Sequence, residues 1–305
     1  MLGGVEMIEI KVIEDGERLD KYLINQCEMS RSKIKKLIDD GKITVFDKIV
    51  KASYMVREGD IIKVDNDNSN QELEIVGEDI PLDIVYEDDY LLVVNKKSGM
   101  VVHPGNGNYD GTMVNALIYH CNNDLSMVNG SVRPGIVHRI DAYTTGLLVI
   151  AKNNEAHLSL AKQLEEKTTT RKYIALVHGV VNTDTGTIDA PIGRDASDRK
   201  KMAVTDVNSK NAVTHFKVLE RYKNTTLIEL QLETGRTHQI RVHMNYIGYP
   251  VVNDPVYGKR KLFDNTGQCL HAKTLGFIHP RTGKYMEFES ELPECFTNIL
   301  NQVKD

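Results

Sequence analysis

The stretch that most constrains this chain is residues 137–153, VHRIDAYTTGLLVIAKN. Its apolar run, residues 147–151, is short, partly β-branched and without helical spacing, which predicts a buried strand. A charged segment, residues 138–141, comes just before it and ends at Asp141. The carboxylate is therefore anchored by the core yet lies at its rim. That placement suits a catalytic acid, although an ordinary surface turn with a solvated Asp also produces it.

Length and composition favour a globular protein with one large and one small domain. The chain has 305 residues, 41% of them hydrophobic, which is enough to bury a core. No apolar run has the length of a membrane span, and no basic region precedes an apolar one at the N-terminus, so neither a membrane span nor a signal peptide is expected. Met7 is an alternative start. We expect a monomer in the cytoplasm.

Cysteine spacing and net charge exclude few kinds of metal site or binding partner. The four cysteines are far apart and form no paired metal spacing, so reduced thiols of a cytosolic protein are the simplest interpretation. The net charge of −5 argues weakly against a nucleic-acid partner. Phosphate recognition depends, however, on where the cations cluster.

The N-terminal region predicts a compact α/β unit at residues 15–64, after a segment, residues 1–14, that can form an edge strand. Leu19, Tyr22 and Leu23 share one helical face. Ser30 is typical of an N-cap for a second helix, residues 31–40. Four cations of that helix are candidate phosphate ligands, although most charge runs are merely solvated: Arg31, Lys33, Lys35 and Lys36. The unit resembles the small RNA-binding module named after ribosomal protein S-four. The polar stretch that follows predicts a flexible linker, residues 65–80.

The remainder, residues 81–305, predicts a larger α+β domain. Apolar runs indicate a hairpin at 84–95 and strands at 147–151, 173–177, 212–220 and 226–233, with helices at 112–119 and 155–166. Residues 240–247 fit either a strand or a helix. Apolar residues at i, i+4 and i+7, with Gly248 and Pro250 as a stop signal, favour the helix.

Three residues of this domain could carry chemistry, and each also has an ordinary structural role open to it. Asp141 can be a turn residue. Tyr173 begins a strand, where tyrosines belong to the core more often than to an active site. Arg241 lies near a helix N-terminus, where a cation is locally unfavourable, and this suggests a carboxylate partner. Zinc is not expected as a cofactor on sequence grounds, because His238 and His243 lack the accompanying motifs.

The motifs themselves are more specific than any single residue. HRIDAYTTG resembles the HRLDxxTSG signature of the RluA-type pseudouridine synthases, and further segments match that family in order: VVNKKSGMVVHPG, RKYIALVHG, TGRTHQIRVH and LHAKTLGFIHP. The similarity covers about residues 82–290, and the arrangement is closest to members that modify large-subunit ribosomal RNA. Departures are mild, with Ile140 for Leu, Thr145 for Ser and Lys97 where Pro is usual. Ala142 and Tyr143 replace the Lys-Asp pair common among those members.

The resemblance implies an α+β pseudouridine synthase fold with a largely antiparallel mixed central sheet. It also implies an isomerisation of uridine that needs no cofactor and no metal. By the same resemblance Asp141 is the catalytic carboxylate, Arg241 is its partner and Tyr173 stacks on the uracil. The matched motifs supply further candidates for substrate binding: His138, Arg139, Thr144, Arg236 and His238. Arg139 would help to displace the target base.

The resemblance leaves the RNA partner open. Large-subunit ribosomal RNA, free or in the assembling subunit, is expected, with transfer RNA as the alternative. A non-enzymatic ribosome-associated RNA binder is another possibility. A nucleoside or glycoside hydrolase normally needs two carboxylates flanking the bond, and Glu233 is the nearest motif-linked second acid.

Overall fold

A computed structural model of the chain describes residues 6–27, 29, 31–66, 75–105, 108–198, 201–258 and 262–304. The chain divides into two compact units, Met1–Leu73 and Glu74–Asp305. The division falls within the predicted linker, of which residues 67–74 lie outside the described ranges.

The N-terminal unit packs two helices on a small antiparallel sheet. Its elements are β1 (Glu6–Lys11), α1 (Leu19–Cys27), α2 (Arg31–Asp39), β2 (Ile43–Val45), β3 (Lys48–Ile49) and β4 (Ile61–Asn66). The strand order is β1-β4-β2-β3, which confirms the predicted edge strand near the N-terminus and joins it to the sheet of this unit. Leu19, Leu23 and Ile34 are fully buried, as the helical spacing predicts.

The cationic residues predicted to bind RNA lie on α2. Lys35 is exposed. The side chains of Arg31, Lys33 and Lys36 lie outside the described residues, as does the predicted N-cap Ser30. The role of this helix in RNA binding therefore stays a prediction.

The large unit is built on a nine-stranded mixed sheet. Its strands are β5 (Ile84–Glu87), β6 (Leu91–Lys96), β7 (Thr145–Ala151), β8 (Thr170–His178), β9 (Thr185–Asp189), β12 (Val213–Arg221), β13 (Thr225–Leu232), β14 (Leu270–Ile278) and β15 (Tyr285–Glu289), with β10 (Ile192–Arg194) and β11 (Met202–Val204) forming a separate hairpin. The helices are α3 (Met113–His120), α4 (Asn154–Glu165), α5 (Gln239–Tyr246) and α6 (Glu294–Val303). The main order is β5-β6-β7-β14-β8-β13-β12-β9, and β15 pairs with β14. This architecture confirms the predicted α+β class.

Strand β7 occupies an interior position of this sheet, and every residue in it is buried. It runs antiparallel to β6 and parallel to β14. Gly146 makes the close approach to β14 possible, because a Cβ there would overlap the backbone of Ala272. The prediction of a buried strand just after Asp141 is confirmed, and that strand fixes where the carboxylate lies.

Helix α5 confirms the choice of helix over strand for the Arg241 segment. It begins after His238, whose φ of 57° is in the left-handed region. The Gln239 side chain turns back to accept a hydrogen bond from the Arg236 amide. The turn brings the first residues of the helix towards the loop of Asp141. Arg241 is thereby buried, with 3% of its surface exposed.

Candidate active site

The loop that carries Asp141 is tied to the end of β6. The Ala142 carbonyl accepts hydrogen bonds from the Lys96 ammonium at 2.6 Å and from the Gly99 amide at 3.0 Å. The Thr144 amide donates to the Asp141 carbonyl at 3.0 Å, which closes a tight turn before β7. The backbone on both sides of the carboxylate is therefore held by neighbouring elements.

Arg241 links Asp141 to a second, fully buried carboxylate. Its Nη1 donates to Asp141 Oδ2 at 2.9 Å. Its Nε and Nη2 donate to the two oxygens of Asp254 at 2.7 and 2.9 Å. Burial by itself lowers the pKa of Arg241, but the hydrogen bonds and charges of Asp254 and Asp141 outweigh it and raise that pKa. The guanidinium is permanently charged and rigidly oriented.

Asp254 is held in turn by its own surroundings. Its side chain is completely buried and also accepts from the amides of Val256 and Tyr257 at 2.8 and 3.0 Å. Burial works to raise the pKa of Asp254, yet the bonds from Arg241 and these amides lower it overall. The Tyr257 ring lies 5.1 Å from the guanidinium carbon of Arg241 and adds a cation–π contact.

His238 faces Asp141 from the start of α5. Its Nε2 lies 3.9 Å from Asp141 Oδ1, and its Nδ1 lies 2.8 Å from the Tyr257 hydroxyl. That hydroxyl also accepts from the Met202 amide. Burial lowers the pKa of His238, although the charge of Asp141 opposes this. The imidazole is thus a neutral group at the edge of the carboxylate near pH 7.

A cavity opens to solvent at Asp141. Tyr173, on β8, lines it and is 6% exposed. Burial raises the pKa of Tyr173, so its ring is a neutral apolar wall. Thr144 lines the cavity too and accepts a hydrogen bond from Gln268 at 2.9 Å. The cavity combines one partly exposed carboxylate with an aromatic face.

The other predicted substrate-binding residues are distributed around this cavity. Arg139 lines it and donates to the Thr237 hydroxyl at 3.0 Å. Arg236 lines it as well, with its Nε bonded to the Asn211 carbonyl. His138 lies in a neighbouring cavity, where its Nε2 accepts from the Val149 amide at 3.1 Å. Burial and the charge of Arg171 lower the pKa of His138 to about 3, so it is an uncharged anchor for the loop.

Several residues of the site were missed by sequence reasoning. Lys96 ends an apolar run and looks like a solvated strand end. Asp254 precedes Pro255 and looks like a turn. Neither residue carries a sequence signal for its buried partner. Arg171 could have been found, because it lies two positions before Tyr173, and side chains two apart point to the same face of a strand.

The described residues contain no group of three or more potential metal ligands. Within the same ranges, no helix is long and apolar enough to cross a membrane.

Comparisons with known families and curated proteins cover both units. Residues 90–246 match the family model of RNA pseudouridylate synthase, and residues 17–62 match the S4 domain. The RNA pseudouridine synthase YlyB of Bacillus subtilis is 52% identical over 98% of this chain and 99% of its own length. Ribosomal large subunit pseudouridine synthase D of Zymomonas mobilis is 45% identical over 92% of this chain and 91% of its own.

A solved structure agrees with these sequence similarities. Human RNA pseudouridylate synthase domain containing 1 superimposes with a TM-score of 0.57 at 28% identity, covering 70% of this chain and 85% of the human one. These matches confirm the resemblance inferred from the motifs.

Lys96 is the most deeply buried cation at the site, at 1% exposed. It donates three hydrogen bonds, to the carbonyls of Lys97, Met100 and Ala142. Burial lowers the pKa of Lys96 to about 7, and the charge of Asp141 opposes this shift. The folded protein therefore binds the Lys96 proton more weakly than the unfolded chain, whose lysines titrate near pH ~10.4.

This difference predicts how stability depends on pH. Between pH 7 and about 10 the unfolded state holds the proton that folded Lys96 has lost, so the free energy of unfolding should rise with pH. Relative to Lys96→Met, the rise in wild type should reach up to about 1.4 kcal/mol per pH unit. Urea titrations of both proteins at several pH values measure it. Parallel curves would mean that the three carbonyls keep Lys96 protonated throughout.

Proposed function

Because this chain belongs to the RNA pseudouridylate synthase family, we propose that it isomerises uridines of large-subunit ribosomal RNA, with Asp141 as the catalytic carboxylate. The observation that carries the proposal is the pairing of Asp141 with buried Arg241, itself fixed by Asp254. Such a site presents one oxygen of Asp141 to a cavity while the other accepts a hydrogen bond from Arg241.

The reaction breaks the bond between N1 of uracil and C1′ of ribose and makes a bond from C5 to C1′. The base turns between these steps, C5 loses a proton and N1 gains one, so atoms and electrons balance without an external reactant. Asp141 can add to C1′ or remove a ribose proton. Both routes require an ionised carboxylate in a site closed to water.

Arg241 supplies the positive charge that stabilises the ionised form of a catalytic carboxylate. Burial can raise a carboxylate pKa by up to ~3–5 units, whereas a cation about 4 Å away stabilises the charge by roughly 4 kcal/mol at an effective dielectric of about 20. Arg241 lies closer, at 2.9 Å. Because Asp254 binds the Nε and Nη2 edge of the guanidinium, the orientation of Arg241 stays fixed when substrate enters.

Tyr173 and Arg139 act on the base rather than on the bond. The buried ring of Tyr173 gives the uracil a surface for stacking inside the cavity. Extruding a base from a helix or loop costs a few kcal/mol. Arg139, which spans from the Asp141 loop to Thr237, can occupy the space that the base leaves.

The same geometry disfavours a hydrolase. A glycosidase needs two carboxylates that flank the bond. Asp254 is occupied by Arg241 and two amides, and Glu233 is bonded to Lys167 and His215 instead. Relatives named ribosomal large subunit pseudouridine synthase D, such as the Zymomonas mobilis protein, support large-subunit ribosomal RNA as the substrate. Transfer RNA remains the competing substrate.

Asp141→Asn tests the catalytic carboxylate. The amide keeps the size of the side chain but cannot be ionised, so tritium release from C5-labelled uridine in large-subunit ribosomal RNA should fall to background. The matched control is Asp206→Asn, which changes an exposed acid and should retain full activity. Labelled transfer RNA is assayed in parallel. Release from transfer RNA alone would refute the proposed substrate but not the chemistry.

Removing Arg241 should lower the single-turnover rate by about 10²–10³-fold, comparable to the loss of a charge-stabilising group in other active sites. Because Arg241→Ala also strands buried Asp254, the double variant Arg241→Met/Asp254→Leu removes both charges and preserves packing. RNA affinity, measured by fluorescence anisotropy, should persist in the double variant. A folded double variant with wild-type turnover would exclude Arg241 from the reaction.

The cations of α2 can be tested together. Changing Arg31, Lys33, Lys35 and Lys36 to Gln should reduce the slope of log affinity against log salt by up to about 2.8, since each contact to single-stranded RNA contributes about 0.7. A matched control neutralises four exposed lysines of the same unit, Lys11, Lys21, Lys48 and Lys51. Equal slopes for the two variants would show that α2 has no special role.

A further inference from the structure

A second cavity adjoins the one at Asp141, and three arginines are among the residues that line it. Arg139, Arg171 and Gly235 line both cavities. Arg133 and His103 are among the polar residues that line only the second one. We call this space, lined by His103, Arg133, Arg139 and Arg171, the cationic cavity.

Arg171 is the decisive residue because its charge is buried without compensation. It is 7% exposed, and among the described residues no carboxylate lies within ion-pair distance of it. Among the described residues, its Nη2 donates to the Glu233 carbonyl alone, at 3.4 Å, and its buried Nε has no hydrogen-bond partner. A buried charge without a partner is strongly unfavourable unless an anion completes the site.

His103 provides an independent indication at the same place. It is 9% exposed, and its buried Nδ1 also has no hydrogen-bond partner within the described part of the chain. Burial, together with the charges of Arg133 and Arg139, lowers the pKa of His103 to about 4. Two residues on separate segments, each with a buried nitrogen that has no hydrogen-bond partner among the described residues, thus line one cavity, where burial and then the nearby arginines keep the imidazole neutral.

The local structure keeps Arg171 accessible to the cavity. Gly235 has no side chain, and a Cβ there would lie 2.9 Å from Arg171 Nη1. The one acid of the lining, Glu165, is exposed at the end of α4. Three arginines and one peripheral carboxylate leave the cavity with a net positive charge.

We propose that the cationic cavity binds a backbone phosphate of the RNA strand, beside the nucleotide whose base enters the cavity at Asp141. The proposal rests on the reaction on RNA proposed above. Guanidinium groups match the geometry of phosphate oxygens. Sharing of Arg139 and Arg171 by the two cavities puts the phosphate next to the base site, as the connectivity of a nucleotide requires.

The test measures binding of a fluorescent uridine octamer to the full chain at several salt concentrations. Arg133→Gln, at the exposed rim, and Arg171→Gln should each weaken binding about tenfold and reduce the salt slope by about 0.7. Arg171→Lys should retain the slope, because it keeps the charge. Glu165→Gln, which removes the opposing charge, should strengthen binding.

Arg281→Gln is the matched control, since Arg281 is exposed in the same unit and outside the cavity lining. If Arg171→Gln unfolds, Arg133→Gln and Glu165→Gln still decide the question by their opposite effects. The proposal would be overturned if Arg133→Gln and Glu165→Gln both gave the same slope of log affinity against log salt as Arg281→Gln.

Competition by inorganic phosphate distinguishes an RNA site from a site for free anions. It is measured against chloride at equal ionic strength. Phosphate binding that depends on Arg133, combined with unchanged octamer binding in Arg133→Gln, would mean a free-anion site and would overturn an RNA role. Tritium release by wild type tests the reaction separately, so an active enzyme with unaltered slopes refutes only the phosphate site.

Discussion

The site depends on one guanidinium shared between two carboxylates. Arg241 would be costly to bury alone, and Asp254 would be equally costly. Together they form a neutral pair, and Nη1 of Arg241 donates a hydrogen bond to Asp141. The buried pair therefore serves less to stabilise the fold than to hold one hydrogen-bond donor in a fixed place. A reaction that needs a single ionised carboxylate benefits from that rigidity.

The sheet brings this arrangement together from distant parts of the chain. Asp141 and Arg241 are 100 residues apart, and Lys96 is 46 residues from the Ala142 carbonyl that it binds. Strand β7 joins two of these segments, since it follows the Asp141 loop directly and pairs with β6, which ends at Lys96. Packing of an interior strand thus helps to position the loop that carries Asp141, the proposed catalytic carboxylate.

Sequence alone predicted the elements whose patterns are local. The apolar run of β7 and the stop signals after α5 identified both elements, and the motifs pointed to Asp141 and Arg241, which the structure brings into contact. The sequence patterns did not reveal Asp254 and Lys96, because their roles depend on burial next to a particular partner. No residue periodicity indicates such a partner. Arg171 lies between these cases, because its strand position was readable but its missing counter-charge was visible only in three dimensions.

The uncompensated charge of Arg171 and the neutralised charge of Arg241 have complementary roles. Arg241 has two carboxylate partners within the protein, and one of them is Asp141, the proposed catalytic carboxylate. Arg171 has none among the described residues, and in the phosphate site proposed above the RNA supplies the anion. Binding energy gained at the phosphate is then available to offset extrusion of the base, which costs a few kcal/mol. In this proposal the contacts of Arg241 hold Asp141 in place, and the uncompensated charge of Arg171 favours the binding of RNA.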